Sequence, residues 1–465
     1  MRPSSVNAVC FSLSRQIISK PVTRCSHRKL SALAQKVEQT PRTRPEPISI
    51  PHESAIHKRT DPYVLMASEL TQIRKNLLNL LGTAHPGLTG IAECYFLHPS
   101  KQLRSLLVLL FSRATNGLGG RWDQKEWNAA WETTSRQSEI LDRPLTTSST
   151  LYEWNPSMPD HTASFESVFP LQQGVPRPEP PPMPSQHASL SQNLPPDLVS
   201  IPSILPTQIR LAQIVEMVHV ASLLHDTISS SSDAKTDSSD STTEPAGFGN
   251  KLSILGGDFL LGRASTALSR LGESEVVELI ASVISNLVEG EIMRMQEVRT
   301  PTLGLVQGPS SLPVAWDQYM KKTYLKTASL FAKGARSAVI LGGCKQGDIW
   351  RDVAYAYGRN LGIAYQLLED TIEFNHMQPG LATAPALLAT EECPQLLPLI
   401  QRNFAQPGDT QLAVEYVQGT TGIKRTRLLA EAYASKARDT LKHLPEGESR
   451  QALEGLTDIV INRTW

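Results

Sequence analysis

The chain has 465 residues, enough for one large domain or two to three ordinary ones. Its 45 basic and 45 acidic residues cancel, so it carries neither a basic field for nucleic acid nor an acidic tail. The five cysteines (Cys10, Cys25, Cys94, Cys344 and Cys393) form no Cys-x-x-Cys pair, which excludes a disulfide framework or a zinc site and favours a reducing compartment.

Residues 1–60 read as a mitochondrial transit peptide and linker. Arg2, Arg15, Lys20, Arg24, Arg28, Lys29 and Lys36 all precede the first acid, Glu38, and serines lie between them. Pro41, Pro45, Pro47 and Pro51 then prevent regular structure. A helical region follows from Tyr63 through Leu81 and again from Ile91 to Ser112. From about 116 to 206 the periodicity fails, and the prolines between 176 and 206 mark a disordered surface insertion at about 135–206. From Thr207 onward helical periods cover 207–229, 251–271, 273–298, 314–342, 347–374 and 421–442. A run of Ser, Thr and Asp at 229–247 interrupts them and can bury no core. The prediction is an all-α domain over 61–465. No apolar run reaches the roughly 20 residues needed to cross a bilayer, so membrane contact would be peripheral at most.

Four places could carry chemistry. Lys101 and Arg104 lie three apart, on one helical face, and could grip a phosphate. His219 and Asp226 are two turns apart and point the same way, with Glu216 and Leu223 on the same face. Lys326 and Thr327 set a cation and a hydroxyl in an apolar stretch, suited to an anion or to a snorkelling lysine. Glu369, Asp370 and Glu373 crowd one turn between Leu367, Leu368, Ile372 and Phe374. Such carboxylates repel unless a cation joins them, and hard oxygen ligands suit Mg²⁺ bridging to phosphates.

In order along the chain, Ser100-Lys101-Gln102-Leu103-Arg104, Val218-His219 through Asp226, and Phe248-Gly249-Asn250-Lys251 through Gly256-Gly257-Asp258 resemble the trans-polyprenyl diphosphate synthase family. So do Val288-Glu289-Gly290-Glu291, Lys326-Thr327 and Gly362-Ile363-Ala364-Tyr365-Gln366-Leu367-Leu368-Glu369-Asp370, and the likeness is to the mitochondrial long-chain branch. The resemblance runs from about residue 63 to the C-terminus. It implies an isoprenoid synthase fold, a helical bundle around a central cavity, as a homodimer or a heteromer with a related synthase. It implies addition of isopentenyl diphosphate to an allylic diphosphate with Mg²⁺ as cofactor, in the mitochondrial matrix. Carried over, Lys101, Arg104 and His219 would hold isopentenyl diphosphate. Lys326, Thr327 and Gln366 would face the allylic diphosphate. Asp226, Glu369, Asp370 and Glu373 would hold metal, Asp226 and Asp370 being the catalytic acids, and Ala221 would set product length.

The chain also departs from that pattern. Where Asp-Asp-x-x-Asp is expected it reads Asp226-Thr227-Ile228-Ser229-Ser230, and the following Arg-Arg-Gly is absent. Asp233, Asp237 and Asp240 are the nearest acids beyond. After Phe374 the expected Gly-Lys-Pro loop is missing, and Ser105 stands for a usual Pro. Two readings follow: a working long-chain synthase, or a catalytically silent subunit that tunes an active partner.

Overall fold

The structure is a computed structural model that describes residues 60–81, 95–96, 102–134, 182, 204–231, 246–298, 308–372, 374, 383–404 and 406–463. Every regular element among them is helical. Helices α1 (Pro62–Leu65), α2 (Ala67–Leu81), α3 (Leu103–Thr115) and α4 (Trp122–Thr134) come first. Then follow α5 (Pro206–Ser231), α6 (Ala246–Ser269), α7 (Ser274–Val298) and α8 (Leu312–Thr323). A π-turn, Tyr324–Ala328, joins α8 to α9 (Ser329–Leu341). The rest are α10 (Ile349–Ile372), α11 (Ala384–Ala389), α12 (Leu396–Gln401), α13 (Asp409–Gln418), α14 (Gly422–Thr440) and α15 (Glu448–Ile461).

The central helices are apolar on most sides, as buried helices are. On α5, residues 211–218 are all buried, including Leu211, Ile214, Val215, Met217 and Val218. This helix packs on α3, α6 and α9, while α10 packs on α9 and α14. One continuous core joins them, and a smaller cluster under α11–α13 holds Phe374, Leu387, Leu396, Ile400 and Val417. Among the described residues no helix is long and apolar enough to cross a membrane.

Two glycines on α10 let the backbones touch. A Cβ at Gly358 would stand 2.5 Å from Phe331 O, and one at Gly362 would stand 2.7 Å from Ala328 Cα. No side chain fits there, so α10 lies directly against the end of the π-turn and the start of α9.

The all-α expectation holds, with four adjustments. The segment from 116 to 134 is not patternless: α4 forms there, anchored by buried Trp122 and by Arg121 N–H donating to Gly343 O (3.1 Å). Gly117, Gly119 and Gly120 before it hid its start. The interval 229–247 is shorter than read, because α5 runs to Ser231 and α6 begins at Ala246. The single helix expected over 314–342 is broken by the π-turn, and four short or terminal helices, α11, α12, α13 and α15, add to the list. The transit-peptide segment before residue 60 and all of the 135–206 insertion except Pro182 and residues 204–206 lie outside the described residues.

Candidate active site

The amino-terminal turn of α3 delivers Arg104, and the middle of α5 delivers His219. Arg104 Nη1 and His219 Nε2 stand 2.9 Å apart. Since the guanidinium can only donate, the imidazole accepts at Nε2 and is neutral. Burial, and then the Arg104 cation, hold His219 well below its usual range. Glu216, one turn earlier on α5, is 4% exposed, and the Ser105 hydroxyl lies 3.0 Å from its Oε2. Burial raises its carboxyl above the ordinary range, against the pull of Arg104 and Ser105. Ser105, standing where the resemblance leads one to expect Pro, therefore offers this acid a donor that Pro could not.

These groups line a cavity of about 150 Å³ with Tyr63, Gln102, Tyr365 and Arg463. Arg104 stacks 4.7 Å from the Phe331 ring centre and 5.7 Å from that of Tyr365. Its Nε is buried and makes no hydrogen bond among the described residues. Lys101 lies outside those residues.

Buried neutral His219 has a consequence for pH. Its folded pKa is depressed below 6.5, so its contribution to stability is complete above about pH 6.5 and drains as pH falls below it. His219→Gln keeps an acceptor for Arg104 and removes that titration. Between pH 7 and 5 the variant's melting temperature should fall less steeply than the parent's. Parallel curves would show that His219 titrates normally.

The second part of the site gathers two turns further along α5. Lys326 Nζ donates to both oxygens of Asp226, at 2.9 and 3.0 Å, and also reaches Glu291 Oε2. Arg294 grips Glu291 with two nitrogens from one turn away on α7. The charges thus alternate: Asp226, Lys326, Glu291, Arg294. Burial raises Asp226, with Lys326 opposing and Glu291 adding to the rise. For Glu291 burial works the same way, but Lys326 and Arg294 outweigh it and hold it far below the carboxylate range. Gly290 makes room, since a Cβ there would lie 2.6 Å from Lys326 Cγ.

The π-turn carries both Lys326 and Thr327; its i→i+5 bond is Ser329 N–H to Tyr324 O. Such turns recur at functional sites. From Thr327 a hydrogen-bonded path crosses to α10. Thr327 Oγ1 donates to Gln366 Oε1 (2.7 Å), Gln366 Nε2 donates to Asp370 Oδ1 (3.2 Å), and Asp370 Oδ2 accepts from Ala384 N–H (3.0 Å). Asp370 is fully buried and caps α11. Glu369 instead pairs with Arg463, just past α15.

The structure therefore brings Arg104 to His219, Lys326 to Asp226, and Thr327 to Gln366 and Asp370. It does not gather Asp226, Glu369 and Asp370 into one cluster: among the described residues no three His, Cys, Asp or Glu converge on a metal position. Glu373 lies outside those residues, as do the side chains of Thr227 and Ser230 and all of Asp233, Asp237 and Asp240. Ala221 is fully buried in the core beside Leu224. Glu291 and Tyr365 stand in the quoted motifs without an assigned role, and Arg294 and Arg463 are not among the candidates read from sequence. The Glu291–Arg294 spacing of three was a usable signal for an intrahelical pair; Arg463 had none.

The pattern of the Polyprenyl synthetase family matches residues 197–416. The mitochondrial hexaprenyl pyrophosphate synthase of Saccharomyces cerevisiae is 34% identical over 458 residues, covering 87% of this chain and 90% of that one. The chain belongs to the polyprenyl synthetase family. It is a prenyltransferase of the mitochondrial long-chain branch. Decaprenyl-diphosphate synthase subunit 1 of Schizosaccharomyces pombe is 40% identical over 56% of this chain and 69% of its own length. The apo form of the Arabidopsis medium/long-chain length prenyl pyrophosphate synthase superposes with a TM-score of 0.51 at 26% identity, covering 87% of this chain and 100% of that one.

Proposed function

We propose that this synthase extends an allylic diphosphate by successive additions of isopentenyl diphosphate, at two sites arranged along α5. The product is a long all-trans polyprenyl diphosphate, the kind of chain that serves as a ubiquinone side chain. The observation that carries the assignment is the arrangement on α5 itself. The Arg104–His219 pair opens on a cavity, and the Lys326–Asp226 pair stands roughly 10 Å away, two helical turns along.

Each residue then has a task. Arg104 and His219, with Lys101, bind the diphosphate of isopentenyl diphosphate through charge-assisted hydrogen bonds. Lys326, Thr327 and Gln366 face the allylic diphosphate. Lys326 offers three donors, of which Asp226 and Glu291 already use some. The apolar core around Ala221 receives the growing chain. The carboxylates suit Mg²⁺ by donor type, since that ion takes one or two carboxylates and completes its shell with substrate phosphates. Asp226, Asp370, Glu369 and Glu373 would hold it. When bound, the ion neutralises charge that develops on the departing diphosphate. Asp226 and Glu369 are each paired with a protein cation, Lys326 and Arg463, and to hold the ion they would have to give up those partners.

The protein works as a homodimer or beside a related synthase subunit. Val288, Ile292 and Met295 form an exposed apolar stripe on α7, and Ile254 and Leu255 are exposed on α6, and such apolar surface supports self-association.

Purified protein with isopentenyl diphosphate, farnesyl diphosphate and Mg²⁺ should release long-chain product, and a chelator should stop it. No turnover alone, with turnover restored on co-expression with an active relative, would make the chain a silent subunit instead. In the working enzyme, Ala221→Phe should shorten the product seen by chromatography. Its overpacking should cost about 1–3 kcal/mol. Unchanged product length would remove Ala221 from the chain path.

A further inference from the structure

We infer that α1, the short arm ahead of the bundle, forms one wall of the cavity that takes isopentenyl diphosphate, and that the ring of Tyr63 is that wall. This rests on the assignment of the Arg104–His219 cavity to that substrate. Tyr63 lines the cavity beside Gln102, Arg104, Glu216 and Tyr365. Burial raises its phenol far above the ordinary range, and Tyr365, Asp61 and Glu216 add to the rise. Two of those three acids line the same cavity, so the phenol reaches the groups that surround the Arg104–His219 pair.

The arm is short, yet it is fixed in place. Asp61 caps it, its side chain accepting from Tyr63 N–H (2.8 Å) and Val64 N–H (3.3 Å). Pro62 opens the turn with a helical φ already set, and it is buried. Met66, just past the turn, is fully buried in the main core. The arm packs on α3 and α15, and the second fit is close. A Cβ at Gly455 of α15 would stand 3.4 Å from Thr60 O and 3.6 Å from Pro62 Cδ, and Thr60 Oγ1 donates to Gln451 Oε1 (3.4 Å). Val64 is left 75% exposed, while Tyr63 and Leu65 pack against the core. Charge-assisted hydrogen bonds from Arg104 to a diphosphate strengthen as water is excluded. A half-buried aromatic ring beside them excludes it. Asp61 is then a positioning residue, since it fixes the turn that carries Tyr63. A proteolytic cut that removed the chain through Tyr63 would open the pocket.

Calorimetric titration of the full chain with isopentenyl diphosphate, beside steady-state kinetics with farnesyl diphosphate and Mg²⁺, tests this. Tyr63→Ala should weaken binding about tenfold and raise KM for isopentenyl diphosphate alike, while kcat and KM for farnesyl diphosphate change less than about twofold. Tyr63→Phe keeps the ring and should bind within about twofold of the parent. Asp61→Ala should weaken binding about threefold, and Asp61→Asn, which can still cap the turn, should not. Val64→Ala, on the exposed side of the same turn, should bind as the parent does. Unchanged affinity in Tyr63→Ala overturns the inference, and so do equal losses for both substrates, which mean a general loosening. Tyr63→Phe as weak as Tyr63→Ala overturns it too, because a hydrogen bond and not a wall is then what Tyr63 supplies. Where Tyr63→Ala does not fold, Asp61→Ala decides, and unchanged affinity there sinks the idea. If Arg104→Gln abolishes binding while Tyr63→Ala leaves it intact, this inference falls alone. If the parent protein binds no isopentenyl diphosphate, the pocket assignment falls with it.

Discussion

Lys326→Met is expected to cost turnover about 10²–10³-fold and to destabilise the protein as well. The turnover loss follows from removing a cation aimed where diphosphate charge develops. The stability loss follows from what Lys326 holds together. Asp226 and Glu291 both reach it, and without it two carboxylates face each other across its place. Breaking a buried pair by deleting one partner costs about 3–5 kcal/mol, and the lower end applies because the Asp226 side chain keeps 30% of its exposure. Urea unfolding and steady-state kinetics report the two losses separately. Adding Asp226→Asn to Lys326→Met should restore much of the stability and none of the turnover. If the double variant is no more stable than the single one, the ion pair is not what Lys326 contributes to folding.

The second large effect belongs to Asp370, whose two oxygens do different work. Oδ2 caps α11 through Ala384 N–H, and Oδ1 accepts from Gln366. An asparagine offers one acceptor and one donor, so it must set an N–H against either Ala384 N–H or the Gln366 amide. That mismatch should cost about 1–3 kcal/mol. Asp370→Ala loses both acceptors and should unfold at lower urea still. Turnover, corrected for the folded fraction, should drop by several orders of magnitude in both variants if Asp370 also serves the metal, since about 1.4 kcal/mol is tenfold in rate. Retained turnover per folded molecule would make Asp370 a helix cap and nothing more.

Much of this was legible in the chain. Apolar residues at three-to-four spacing fixed the long helices, because a buried helix leaves that period in sequence. His219 and Arg104 were each flagged from spacing on their own helices. Their meeting across 115 positions was not readable, because spacing reports only neighbours on one helix. Helix α4 was missed because glycines precede it and its exposed faces are polar. The π-turn leaves no period of its own. Spacing alone leaves Lys326 open between an anion-facing and a snorkelling lysine, and does not disclose that Asp226 and Glu291 surround it. Arg463 was invisible for a simpler reason: it lies in an ordinary amphipathic ending, and its partner Glu369 is on a helix far upstream.

The π-turn between α8 and α9 has one further consequence. It holds one residue more than an α-helical path of the same rise needs, and each residue turns an α-helix by about 100°. Deleting any one of Tyr324–Ala328 would let α8 and α9 fuse into a regular helix. The flanking faces, buried Trp316 and Tyr319 before it and buried Phe331 and Ala335 after it, would keep their phase, and the change would fall on the turn itself, which carries Lys326 and Thr327. A one-residue deletion here should therefore spare the packing of the two helices and displace the Lys326 and Thr327 side chains from the site.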